Sequence, residues 1–566
     1  MSDVTMIQLA FAGHNRANDL GHHAPITEGL DAAFRLIREA GVEHARLLSG
    51  LAPGADELAA EAWRLAQLGP IHAVFPFLDD PAAKAAELRG VQSATWLDGA
   101  AAEALGRNPH LKQTRLVVEA ADLLVVVWTG ERARGAGGTA DAVRCALEIG
   151  LSVLWVKPSD PRLRLIRPER LPSDFDFPEF QEGLQAGNFS HVEDATAANV
   201  RDVLNLDSLA VAEAAEAMAE EGAEGQRAGS LDDWLHVWLW KTYGGFRRLL
   251  GGRVSGLAAP HPLPEDLAEQ EGFRLLTAAY LKADHHANRL SAVHRSEQIL
   301  LLLAMVTAAI VGSSPAVWPQ LKTTAVFVEL MLGLAALWVW TGAARARQHE
   351  RWGEERHLAE QLRLVRACWP LGVSLVSTRA RPIARHALEP EQAILRRAGL
   401  PSGKFDQARV ASWGRWAMSE LVDGQAAYHQ AVSKREGRIA HRIHVGENTA
   451  YLFLLVVFAA YLIGHSLSDA FGVHVPHWIS GLVTMAGTIV PAFAAATMAL
   501  EAKLEFQEQS ARSERIGDQL EGLAAQLGPS PSLDDLQGAA RAAMKWHLAE
   551  ASHWRDGAGR RQLFRP

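Results

Sequence analysis

Residues Gln298 to Leu321 read QILLLLAMVTAAIVGSSPAVWPQL, twenty-four positions without one ionisable side chain. A helix crosses the hydrocarbon core of a bilayer with roughly 20 apolar residues, so this stretch is long enough to span one. Three more of the same kind follow, Thr323 to Ala344, Asn448 to Ser468 and Trp478 to Leu500. The chain therefore divides into an N-terminal portion of ordinary composition and a later portion with four predicted membrane helices, centred on 298–318, 323–344, 448–468 and 478–500.

The whole chain has 566 residues, a formal net charge of -9 and 48% hydrophobic residues, with the apolar surplus concentrated after residue 297. That charge, with no basic run to offset it, argues against a general nucleic-acid binder. Cys145 and Cys368 are the only cysteines, too few for a disulfide framework. The opening MSDVTMIQLAFAGHNR lacks the charged segment and long apolar core of a cleaved signal. Arg289 and Arg295 precede the first span, Arg345, Arg347 and Arg351 follow the second, and Arg435, Arg438 and Arg442 precede the third, whereas the two short hairpin loops carry a single Lys. By the positive-inside rule both termini and the middle segment face the cytoplasm, and the expected location is the bacterial inner membrane.

Before the spans, apolar runs of strand length alternate with helical patterns. Met6 to Ala12, Ala45 to Ser49, Ile71 to Phe75, Leu123 to Val127 and Ser152 to Val156 read as strands. Helices are expected from about Thr27 to Ala40, after the turn SGLAPGAD, around Asn108 to Ala121, and up to Ile149. This alternation predicts an α/β domain with a Rossmann-like parallel sheet over about residues 1–208. A linker over 209–263 follows, then two units, 264–445 and 446–566.

Ligands of such sheets bind beyond the carboxyl ends of the strands, where glycine lets the backbone approach and helix N-termini offer amides. Three turns here have that chemistry: Gly13-His14-Asn15-Arg16; Ser49 to Asp56, with Gly50, Leu51, Ala52, Gly54 and Ala55 between them; and the loop running through Thr129 and Gly130 to Gly137, Gly138 and Thr139. With Arg107 and Asn108 they form the candidate site for an anionic, nucleotide-derived ligand, its phosphates meeting helix amides and Arg16 or Arg107. Glycines that only serve tight turns would give the same letters. His14, His22, His23, His285 and His286 lack the spacing of a metal site, and no cofactor is predicted.

At these turns the chain resembles the SLOG superfamily, the Rossmann-like fold of the DNA-processing protein DprA, the LOG phosphoribohydrolases and the YspA-like proteins. SGLAPGAD resembles the SGxARGxD turn of the DprA and YspA branches. Arg107-Asn108, DLLVVVW and GGTADAVRCALEIGLSVLWV resemble the second half of a YspA-type domain. The likeness covers about residues 5–160 and implies nucleotide binding. LOG enzymes carry PGGxGTxxE, whereas Gly138-Thr139 here is followed by Ala140, Asp141 and Ala142. Asp141 is the only candidate to replace the missing carboxylate, so binding is expected rather than glycosidic cleavage, and a membrane-anchored phosphoribohydrolase using Asp141 is the alternative.

Residues 264–298 place Phe273, Leu276, Tyr280, Ala283, Ala287, Leu290 and Val293 at three-four spacing, an amphipathic helix running into the first span. The later half also repeats itself. His294-Arg-Ser-Glu297 matches His444-Val-Gly-Glu447, Glu360-Gln361-Leu362 matches Asp518-Gln519-Leu520, and Trp416 and Glu420 match Trp546 and Glu550. Two copies of a unit are expected, each an approach helix, a membrane hairpin and returning cytoplasmic helices. This unit resembles the SLATT domain, a two-helix membrane effector accompanying SLOG sensors. The resemblance implies a homo-oligomeric pore or membrane-disrupting effector switched on during phage infection. Glu329 is the one ordinary acidic or basic residue inside the spans and the candidate pore-lining group. A transporter regulated by the α/β domain is a third reading, though the spans offer no polar substrate site.

Overall fold

The structure, a computed structural model, describes residues 6–13, 23–79, 91–98, 108–133, 135–206, 242–252, 261–345, 348–373, 390–472 and 476–560. The first unit alternates as its apolar runs require. In chain order it contains β1 (Ile7–Gly13), α1 (His23–Glu39), β2 (Ala45–Ser49), α2 (Ala55–Ala66), β3 (Ile71–Phe75), β4 (Ser93–Trp96), α3 (Pro109–Glu119) and β5 (Leu123–Val127). After these come α4 (Thr139–Glu148), β6 (Val153–Lys157), β7 (Asp160–Ile166), α5 (Phe177–Gln185), β8 (Val192–Asp194) and α6 (Ala197–Val203). The five expected strands and four expected helices are present, with ends shifted by a few residues.

The sheet has nine strands in the order β8-β7-β6-β5-β1-β2-β3-β4-β9. Six of its eight pairings are parallel; β7 runs antiparallel to β6 and to β8. The expected Rossmann-like parallel sheet is present, with an antiparallel edge added at β7. β6 and β7 are separated by a two-residue turn, too short for a crossover, so the strand must reverse. β5 (LLVVV) is fully buried on both faces, which is why it reads as an unbroken apolar run.

The ninth strand was not expected in this domain. β9 (Gly403–Lys404) comes from the segment between the second and third spans and pairs in parallel with β4, Trp96 opposite Lys404. Phe405 N–H donates to the Trp96 carbonyl at 2.8 Å. Beside it the Thr95 hydroxyl donates to the Pro401 carbonyl at 2.5 Å and shares a 2.8 Å hydrogen bond with His72 Nε2. The sheet and the membrane half thus share one structure.

The two faces of the sheet are covered differently. One carries α1, α2 and α6 around a core containing Phe34, Leu47 and Trp63. On the other, Leu116 and Val117 of α3 and Val143 of α4 share a core with Leu371, Trp413, Leu536 and Met544 from the C-terminal half.

That half consists of long helices: α7 (Glu271–Ser313), α8 (Lys322–Arg345), α9 (Gln348–Cys368), α10 (Pro390–Ala398) and α11 (Gln407–Met418). A π-helical turn at Ser419–Asp423 leads into α12 (Gly424–Phe471), followed by α13 (His477–Leu504), α14 (Phe506–Gln526) and α15 (Leu533–Arg560). α7 is a continuous 43-residue helix, so the amphipathic approach and the first span are one rod about 65 Å long. Phe273, Leu276, Ala283, Ala287 and Val293 are buried along it, with Tyr280 and Leu290 partly buried, as the spacing predicts. α7 lies along α9, and α12 lies along α14. Within the span 209–263 read as linker, 242–251 is a helix docked on this half, with Tyr243 N–H donating to Ser296 Oγ at 3.1 Å.

Four helices are long and apolar enough to cross a membrane. Their side chains point outward: Phe453, Leu455, Leu462 and Ile463 are 58%, 66%, 64% and 61% exposed. Exposed apolar surface of this extent, on helices of this length, is consistent with a membrane protein. The hairpins touch where Gly481 meets the backbone of Ala316 and Val317, with no room for a side chain.

Candidate functional site

Reading the sheet order from its centre, the chain leaves β1 toward β4 and then crosses back to β5, so the topological switch point lies between β1 and β5. There Gly13 stands beside Val127, both at the carboxyl ends of their strands. This is the place where an open α/β sheet presents a crevice to a ligand.

The second turn closes around a buried carboxylate. Ser49 Oγ donates to Asp56 Oδ2 at 3.1 Å and accepts from the Leu51 N–H at 3.1 Å. The amides of Ala52 and Gly13 also donate to Asp56. Burial pushes the Asp56 carboxyl up to about 7 against the pull of these three donors. The tight path needs Leu51 at φ 49° and Gly54 at φ 118°. A β-carbon on Gly13 would sit 2.5 Å from that of Ala55, so glycine alone lets β1 end this close to the start of α2.

The third turn leans on α3. Asn108 caps that helix, its Oδ1 accepting from the His110 and Leu111 amides at 2.9 and 3.2 Å. Gly137, at φ +83°, lies so close to the His110–Leu111 peptide that any β-carbon would overlap it. The Thr114 hydroxyl donates to the Gly137 carbonyl at 2.9 Å. Gln113, one position earlier, fills the space over Gly50 and donates from Nε2 to the Val74 carbonyl at 2.6 Å. Gly54 and Gly138 are the cap residues of α2 and α4, and neither supplies a side-chain acceptor to the helix amides.

Gly13, Ser49, Gly50, Asp56, Asn108 and Gly137 are therefore brought together at one end of the sheet around the first turns of α2 and α3. Thr139 is buried at the start of α4. Thr129 and Gly130 leave β5 toward α5, where Gln185 Nε2 donates to the Gly130 carbonyl at 3.2 Å. His14, Asn15, Arg16 and Arg107 lie outside the described residues, as does His22. Gln113 and Thr114 were missed by the sequence reading. Their signal was position: they follow Asn108 on the first turns of a helix starting at the strand ends.

Asp141 is already engaged. Its Oδ2 accepts from the Gly137 amide at 2.8 Å and its Oδ1 from Arg144 at 2.9 Å. The arrangement orders the glycine turn rather than presenting a carboxyl to the crevice. Backbone amides of all three turns are drawn onto carboxylates at this end of the sheet, those of Gly13 and Ala52 onto Asp56 and that of Gly137 onto Asp141. Among the described residues no group of three His, Cys, Asp or Glu could hold a metal ion.

In the spans, Glu329 of α8 rests against Gly312 of α7, where an added β-carbon would strike its carboxylate. It thus faces its own hairpin partner in the single chain. No protein-family model, curated protein or solved structure matches the chain.

Proposed function

We propose that the chain is a ligand-gated membrane effector of the bacterial inner membrane, with both termini cytoplasmic. A SLOG-like α/β domain binds a nucleotide-derived signal across the Gly13, Ser49–Asp56 and Gly137–Thr139 turns. That binding rearranges a tandem SLATT-like membrane unit, in a homo-oligomer, to open a pore or disrupt the bilayer in anti-phage defence.

The observation that carries this reading is the placement of α3. Its first turn touches Gly137 and Gly50 in the crevice. Its other contacts reach the last helix of the membrane half: Lys112 Nζ pairs with Asp534 at 3.1 Å and Glu119 with Arg541 at 3.3 Å. A ligand that moves the turns moves α3, and α3 is tied to α15. Gating further requires that the ligand bind the open arrangement more tightly than the closed one. The engagement of Asp141 by Gly137 and Arg144 weighs against the phosphoribohydrolase alternative.

The test is ion leakage from proteoliposomes holding the full chain, across a panel of nucleoside monophosphates, ADP-ribose derivatives and cyclic oligonucleotides. Leakage induced by one of them and lost on substituting Gly137 supports the reading. Silence across the panel, or base released from nucleoside monophosphates by an Asp141-dependent reaction, overturns it.

A further inference from the structure

A cavity lies away from the sheet, among the helices that lead into and out of the predicted spans. Its volume is about 580 Å³, within the range of about 300 to 1,000 Å³ usual for small-molecule sites. Six arginines line it: Arg247, Arg295, Arg356, Arg363, Arg435 and Arg512. Three carboxylates, Asp284, Glu360 and Glu436, share the lining, so six positive charges minus three negative leave a surplus of three.

The pairings show where that surplus sits. Glu360 takes both Arg363, at 2.8 Å, and Arg356. Glu436 takes both Arg247 and Arg435, each at 2.8 Å. Arg295 is held instead by the Tyr243 hydroxyl, to which its Nη1 donates at 2.8 Å, and by the rings of Tyr243 and Trp352. Each doubly used carboxylate leaves guanidinium hydrogens over. Arg363 Nη1 and Arg247 Nε are buried without a hydrogen-bond partner, and so is Glu436 Oε2. The lining as a whole therefore holds more guanidinium than carboxylate charge around a cavity with room for an anion. The charge is felt by the neighbouring rings as well. Burial, reinforced by Arg363, holds His429 down at about 4 and His547 at about 3.

We infer that this cavity binds a phosphate-bearing anion. Its phosphate oxygens meet the guanidinium groups in excess of the carboxylates, and Tyr280, Tyr428 and Trp352 supply flat walls for the rest of the ligand. The helices that enclose it are α7 and α12, which run on into the first and third spans, and α9 and α14, which return from the second and fourth. Arg295 stands three residues before Gln298, roughly 5 Å along the helix from the first span. An occupant therefore ties the two halves of the repeat together at the mouth of the membrane. This inference does not depend on the strand-end crevice. The same phosphate chemistry is offered by a soluble polyphosphate and by a lipid headgroup, and the experiment separates them.

The full chain in detergent is titrated with inorganic pyrophosphate and with ATP, and in nanodiscs of phosphatidylglycerol or of phosphatidylcholine alone, by calorimetry and thermal shift. Expected is saturable binding that weakens with salt and falls roughly tenfold for each arginine removed in Arg295→Gln and Arg512→Gln. Binding should also be abolished in Ser291→Trp, which fills the cavity without altering its charge, and unchanged in Arg170→Gln on the α/β surface. Saturation by pyrophosphate or ATP identifies a soluble ligand. Stabilisation only by phosphatidylglycerol, lost in Ser291→Trp, identifies a headgroup. No stabilisation by any of these, or binding that survives Ser291→Trp in a Gly137→Ala background, where the strand-end crevice is disrupted, overturns the proposal.

Discussion

Arg396 of α10 donates from Nε to Asp122 Oδ1 at 2.6 Å, at the foot of the central strand β5. The same residue's carbonyl accepts from Gln8 Nε2 at 2.6 Å, and Asp122 Oδ2 accepts from the Gln8 amide at 2.9 Å. A residue from between the second and third spans is thus built into the middle of the sheet, at the strand ends opposite the crevice. Together with β9 it fixes the membrane half to both the centre and the edge of the α/β domain.

Both side chains of that pair are about nine-tenths buried. Removing one leaves the other as an uncompensated buried charge, a cost of about 3–5 kcal/mol. Arg396→Ala should therefore speed amide exchange in β1 and β5 by orders of magnitude. Asp122→Asn combined with Arg396→Met should recover most of the protection. If Arg396→Ala leaves exchange unchanged, the contact carries no load.

Gly137 occupies a left-handed backbone position against the α3 peptide. Gly137→Ala adds both strain and overlap, about 1–3 kcal/mol from the backbone alone. The expected outcome is a lower melting temperature of the α/β domain and loss of ligand-induced leakage, with the membrane helices intact by circular dichroism.

Asp56 gives a pH signature whose direction follows from its raised value. The folded chain keeps a proton up to about 7, while the unfolded chain loses it near 3.8. The stabilisation is complete below 3.8 and is lost as pH rises through about 7. Asp56→Asn carries no titrating proton, so thermal stability measured across that window should flatten relative to the parent. An identical slope in both chains would assign the dependence elsewhere.

The contact between hairpins rests on one small residue. Gly481→Ile has no space against Ala316 and should separate α13 from the end of α7. Cross-linking between cysteines placed at Ala316 and Ser480 reads this directly, and should fall sharply in the Gly481→Ile background.

The four spans and the α7 stripe were legible because each is a long, regular signal, apolar length in one case and a 3.6-residue period in the other. β5 was legible because a strand buried on both faces is apolar throughout. β4 (SATW) and β9 (GK) were not, because four and two residues carry no period and their pairing is decided by what packs over them. β7 did carry a signal, Leu163 and Leu165 alternating with Arg162 and Arg164, and its short separation from β6 leaves only an antiparallel return. The crevice glycines were readable one by one. Their joint dependence on Gln113 and Thr114 was not, since that contact exists only once α3 is laid across the strand ends. The arginine-lined cavity had no sequence signature at all, its six cations being drawn from elements spread between residues 242 and 526.

The wide turn at Ser419–Asp423 joins α11, whose near end is β9, to the helix that becomes the third span. An α-helix advances about 100° per residue, so one residue accommodated in a π turn changes which side of everything downstream faces its neighbours. Excising a single residue there would swivel the third span by about a quarter of a revolution while hardly altering its depth. The angular setting of that span is thereby decided outside the lipid, a few residues from the edge of the sheet.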